Sequence, residues 1–369
     1  MDLAALLKQL SQTPGISGHE TEIRAVVLHE WGRCAAETRV DKMGNALAIS
    51  WGTDRGAGPR RSNRNAMPRR SIMLATHMDE IGLMVAGVKH GFIHLVALGD
   101  ADARILPGQE VIVHGRRDLP GLVASTPPHL LKAAERQKVT PLERLWVDVG
   151  LPARQVEQLV HVGDLVSLRR SVIELKNGLL AGKAFDNRAS LAAVAVCLEQ
   201  LRQARHGWDV LAVATVQEEV GLLGAATSAF ALQPDVAIAI DVTYAAQHNV
   251  DDVETFALDK GPTINVGPNM HPRMTHGLRD AARRLELETR LEPLTGHSSS
   301  DGWAIQVARE GIPTGIVAIP IRSMHTPVET VAIKDIERTG RLLAEFIRGL
   351  DEEFYQSLVD YSDEMTRYA

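Results

Sequence analysis

Apolar positions recur along this chain in two periods, one helical and one extended. Leu3, Leu6, Leu7 and Leu10 fall at helical spacing, and Ile23, Val26, Val27 and Trp31 repeat it, which predicts two N-terminal helices. Strands are predicted at about 45–51 and 71–76. From about 83 to 171 the chain turns to short β-type runs, Leu83–Val88, Phe92–Leu98, Glu110–His114, Leu122–Ser125 and Asp164–Leu168. Glycine, proline and aspartate punctuate them, as in a small β-barrel or sandwich. Alternation of helix and strand then resumes. A helix from about Arg188 carries Leu191, Val194, Leu198 and Leu201 on one face, and Met274, Leu278, Ala281 and Leu285 mark another. Strands are predicted at Val210–Val216, Val236–Ile240 and Ile312–Ile319. A final helix from about 334 is expected to bury Ile336, Leu343, Phe346, Ile347, Leu350 and Phe354.

The economical reading is one α/β domain, residues 1–82 and 172–369, with a mixed sheet sandwiched by helices. A small β-barrel domain, residues 83–171, is inserted into it. Residues 52–70 hold six arginines, three glycines, two prolines and one acid. With so little to bury, they read as a flexible loop joining two strands.

Composition narrows the class. At 369 residues the chain exceeds one compact core. A net charge of -6 gives no electrostatic footprint for nucleic acid or anionic lipid. No apolar run approaches the ~20 residues of a membrane helix. The N-terminus lacks the basic and apolar regions of a signal peptide, so the expectation is a cytoplasmic protein. Cys34 and Cys197 cannot build a disulfide framework and are expected to be small core residues in helical surroundings.

The candidate chemistry lies where the predicted strands end. His77 follows the run 71–76, and Glu218 and Glu219 follow 210–216. Asp241 closes Val236–Ile240, Asp186 stands just before a helix, and His325 lies beyond the strand 312–319. The carboxyl edge of an open α/β sheet forms a crevice. Histidine nitrogens and carboxylate oxygens suit Zn²⁺. Two such ions would meet three negatives from Asp186, Glu219 and Asp241, leaving about one charge for a shared hydroxide whose pKa they would lower. Taken singly, each fragment has a plainer reading: a His-x-Asp hydrogen bond, a solvated acidic edge, or a helix N-cap at Asp186. The other histidines read as structural or superficial, with His206 and His248 among the superficial ones, apart from His297, which directly precedes Ser298-Ser299-Ser300-Asp301.

The wording around these residues closely resembles the TET-type aminopeptidases, also described as glutamyl or leucyl aminopeptidases, some relatives being labelled endoglucanases. The segments that match are Ala75-Thr76-His77-Met78-Asp79-Glu80-Ile81-Gly82, Ala184-Phe185-Asp186-Asn187-Arg188, Gln217-Glu218-Glu219-Val220-Gly221 and Met324-His325-Thr326-Pro327-Val328-Glu329. The resemblance implies a zinc-exopeptidase-like fold and a dinuclear centre of Zn²⁺ or Co²⁺. Asp186 would bridge the ions, one also taking His77 and Asp241, the other Glu219 and His325. Asp79 would accept the second N–H of His77, and Glu218 would be the general base. It further implies a cis Asp186–Asn187 bond, peptide substrates, and a barrel that dimerises within a homododecameric tetrahedral shell. Two departures touch the pocket: Ser298-Ser299-Ser300-Asp301 replaces a Gly-Gly-Thr-Asp stretch, and Ser323 stands where tyrosine is common.

Three other functions fit this pattern less well. Dinuclear carboxypeptidases and deacylases place a second domain between the third carboxylate and the last histidine, whereas here the insertion falls between His77 and Asp186. A glycoside hydrolase needs two carboxylates across a sugar cleft and commonly an aromatic platform, and aromatics are only 4% of this chain. A non-catalytic descendant would need a broken ligand or base, and none is visible.

Overall fold

The computed structural model describes residues 1–53, 69–250 and 255–359. Most of the arginine-rich 52–70 segment therefore lies outside the described residues. An eleven-stranded mixed sheet forms the frame. Its centre is parallel: Asp209–Thr215, Ser71–His77, Val236–Tyr244 and Thr314–Arg322 lie side by side. Antiparallel strands flank this centre, Ala46–Ser50 on one side and Glu329–Ala332 with Leu179–Gly182 on the other.

The central strands read as continuous apolar runs because both of their faces are covered. Ile72 and Leu74 point into a large core shared with the helices Leu3–Gln12, Phe185–Arg202 and Ile333–Arg348. Met73 and Ala75 point the other way, into a smaller core with Ala225, Ala229 and Ile305 of the helices Leu223–Leu232 and Asp301–Gln306. Gly340 sits where Ile333–Arg348 crosses Phe185–Arg202, and a Cβ there would stand 2.5 Å from the Cβ of Val196.

The strands between Gly82 and Leu168 close into a six-stranded antiparallel barrel. Val85, Ile93, Val111, Val113, Val147 and Val166 fill it. The sixth strand, Trp146–Asp148, and the helix Ala153–Leu159 are not in the sequence-based expectation. Three residues carry too little alternation to register as a strand.

Other differences have local causes. The last long helix stops at Arg348 with Gly349 as its cap, so Phe354 belongs to a separate helix, Glu352–Ser357. Asp351 starts that helix by accepting the N–H of Phe354 at 2.7 Å. His206, expected at the surface, is buried, with Nδ1 2.8 Å from the carbonyl of Trp208. Cys197 is buried in a helix, but Cys34 follows the end of Thr21–Gly32 and is only partly buried. No helix among the described residues is long and apolar enough to cross a membrane.

Candidate metal centre

Parallel register brings the strand ends together. Thr215 pairs with His77, and Asp241 lies on the adjacent strand. Glu218 and Glu219 follow directly, after Gln217 turns the chain at φ 56°. Asp186 lies in the first turn of Phe185–Arg202, where the Asp186–Asn187 bond is cis, as the resemblance implies. His325 stands at φ 60°, a conformation uncommon for a side-chain-bearing residue.

All five ligand candidates and Glu218 converge. Asp186 offers one carboxylate oxygen to His77 Nε2 at 3.1 Å and the other to His325 Nε2 at 3.1 Å. His77 Nε2 is 3.8 Å from Asp241 Oδ1 and 3.8 Å from Glu218 Oε2. His325 Nε2 is 3.7 Å from Glu219 Oε1. Two triads result, His77–Asp186–Asp241 and Asp186–Glu219–His325, each with its donor atoms within 4.8 Å of one another. A third grouping, His77 with Glu218 and Glu219, meets the same criterion.

The electrostatics fit a cation. Burial pushes Glu218 up to about 10 and Glu219 up to about 8, and neighbouring acids add to the rise. Burial likewise lifts Asp241 to about 7, with Asp186 adding to it. Asp186 moves the other way. Burial opposes its charge, but hydrogen bonds from His325 and His77 hold it below the usual carboxylate range. The Asp186 bond raises His325 to about 9. Acids driven toward neutrality by burial and mutual repulsion lack positive charge, and divalent ions would supply it.

Asp79 is fully buried and serves several donors. The Nδ1 of His77 lies 3.2 Å from the Asp79 backbone carbonyl and 3.5 Å from its carboxylate. That carboxylate accepts Ser17 Oγ at 2.6 Å, the N–H of Glu218 at 3.1 Å and the N–H of Glu219 at 3.2 Å.

Two supporting groups, Glu329 and Glu80, were not found from the sequence, which placed a third, Asp301, only near the pocket. Glu329, also buried, accepts the N–H of His325 at 2.8 Å and of Asp186 at 3.1 Å. Its position four residues after His325 was the available signal. Glu80 pairs with Lys183 beneath the site and accepts the N–H of Gly15 at 3.1 Å. Asp301 begins the helix Asp301–Gln306 and accepts Thr215 Oγ1 at 2.6 Å, and burial lifts it to about 6. Ser299, two residues before it, has φ 51°.

Histidine and carboxylate donors at the strand ends of such a sheet are the equipment of a metal-dependent hydrolase. Comparison with known proteins agrees. The profile of the M42 glutamyl aminopeptidase family matches residues 61–342. The lysyl aminopeptidase of Pyrococcus furiosus is 33% identical over 344 residues, 91% of this chain and 94% of that protein. The TET aminopeptidase of the sediment archaeon Thaumarchaeota archaeon SCGC AB-539-E09 superposes with a TM-score of 0.88. It is 29% identical and covers 97% of this chain and 100% of its own. The TET1 peptidase of Pyrococcus horikoshii, described as assembling into a tetrahedron or a large octahedral shell, has a TM-score of 0.80. It is 26% identical and covers 95% of this chain and 100% of its own. The chain belongs to the M42 glutamyl aminopeptidase family and is a metallo-aminopeptidase, a hydrolase of peptide bonds.

Proposed function

We propose that this enzyme removes single N-terminal residues from short peptides at a centre of two divalent ions, zinc or cobalt. The supporting observation is Asp186, whose two oxygens face two histidines that head separate donor triads. His77, Asp241 and Asp186 would hold one ion, and Glu219, His325 and Asp186 the other. When bound, such a pair polarises the scissile carbonyl and lowers the pKa of water.

The protein's own groups handle the protons. Glu218 is buried at the cluster but lies outside both triads that share Asp186, which leaves its carboxylate for acid–base work. It takes a proton from the attacking water and returns it to the leaving amine. Asp79 orients His77 and holds the two backbone amides that aim Glu218 and Glu219. Glu329 does the same for Asp186 and His325.

In this reading residues 1–82 and 172–369 form the catalytic domain, and the barrel, 83–171, serves dimerisation. Phe92, Val96 and Leu122 are exposed apolar residues on its strands. A tetrahedral shell like that described for the Pyrococcus horikoshii relative would make this chain a homododecamer built from dimers, since a tetrahedral rotation group generates that copy number.

The test compares a free and an N-acetylated peptide of the same sequence, using enzyme chelated and then reloaded with zinc or cobalt. Stepwise release of residues from the free peptide alone, lost on chelation and regained on reloading, is expected. Cleavage of the blocked peptide, or activity indifferent to chelation, would overturn the reading.

A further inference from the structure

The cavity above the acid–histidine cluster has a volume of about 470 Å³ and two kinds of wall. Leu294, Ile316, Ala318 and Met324 make an apolar side. On the barrel side it is lined by Asp100, just past the strand Phe92–Leu98. The backbone there runs close to the centre: a Cβ on Gly99 would stand 3.4 Å from the Cβ of Glu219. Asp100 is exposed, and among the described residues its side chain has neither a hydrogen bond nor an ion pair.

No lysine or arginine is among the described residues that line this cavity. The Nδ1 of His297 accepts the N–H of Ser299 at 3.0 Å, and its ring lies tilted against Trp303. Three of the five lining acids are proposed ligands and Glu218 is the proposed base. The charge of Asp100 is left uncommitted.

An N-terminal glutamate entering here would meet an unpaired carboxylate and no lysine or arginine among the described lining residues. A lysine or arginine would lay its methylene stem on the apolar side and carry its charge to Asp100. We propose that this chain selects peptides with a basic N-terminal residue and that Asp100 determines this specificity. The proposal rests on the aminopeptidase reading above.

The experiment measures kcat/KM on p-nitroanilides of lysine, arginine, leucine and glutamate with the zinc- or cobalt-loaded enzyme. The lysyl and arginyl substrates should exceed the leucyl one by about tenfold and the glutamyl one by about a hundredfold, a preference that salt weakens. Asp100→Asn should reduce the lysyl-to-leucyl ratio about tenfold, as for loss of one partly screened charge contact. Asp100→Glu should keep the ratio, and Asp100→Lys should turn the preference from lysyl toward glutamyl. An equal loss on all four substrates in Asp100→Asn would overturn the proposal, because the residue would then read the α-amino group or act structurally. Fastest cleavage of the glutamyl substrate by the unaltered enzyme would overturn this proposal alone. Hydrolysis of none of the four would remove the aminopeptidase reading with it.

Discussion

The carboxylate of Asp79 accepts the backbone N–H of Glu218 at 3.1 Å, so the residue beside the His77 imidazole also anchors the turn that carries the proposed base. The orientation of a proposed ligand and the position of the proposed base are thereby tied to one buried group. Asp79→Asn is expected to cost about 10–100-fold in activity or metal affinity, as for partners that orient metal ligands. Steady-state kinetics and a metal-binding titration would separate those two losses.

Glu218 and Glu219 act as each other's control. Glu218→Gln keeps volume but cannot take a proton, and should lower kcat by about 10²–10⁴ while metal content holds near two per subunit. Glu219→Gln should weaken or lose one metal. If Glu218→Gln kept near-wild-type turnover while Glu219→Gln kept both metals, the assignment of the pair would be wrong.

Glu329 joins Asp186 and His325, residues far apart in sequence, through one carboxylate. Glu329→Ala would leave two N–H groups without that acceptor, at about 1–3 kcal/mol for each that stays buried. Lower urea stability and faster loss of metal to a competing chelator are expected. Glu329→Gln, which keeps one acceptor, should fall between the two.

The Glu80–Lys183 pair is a buried ion pair, with the buried Arg188 guanidinium 3.9 Å from Glu80. Glu80→Gln would strand the Lys183 charge and should cost about 3–5 kcal/mol in urea unfolding. Combining it with Lys183→Met should recover much of that loss. A double variant as unstable as the single one would show that the pair does not act as a unit.

Chelation should lower the melting temperature as well as abolish activity, because ions that bind only the folded cluster stabilise it by mass action. Differential scanning calorimetry with and without a chelator checks this. An unchanged transition would mean that the acid–histidine cluster holds its shape without a cation.

The sequence by itself determined the frame and the order of the site. Ile72 to Ala75 face two cores in alternation, so the strand is a local pattern, and the residue that follows it must lie at the sheet's carboxyl edge. That logic holds for His77, Glu218 and Glu219, whereas Asp241 lies inside Val236–Tyr244, three residues before that strand ends. It held less well for short elements such as Leu179–Gly182 and Glu329–Ala332, which exist because they pair with each other. Their register sets Glu329 opposite Gly182 and so within reach of Asp186. Only the tertiary structure decided which buried donors each carboxylate serves, that His206 is enclosed, and that Asp100 of the barrel side shares a cavity with residues of the sheet. These depend on contacts between residues distant in the chain. Hydrophobic periodicity reports which way a side chain faces, not which distant group it meets.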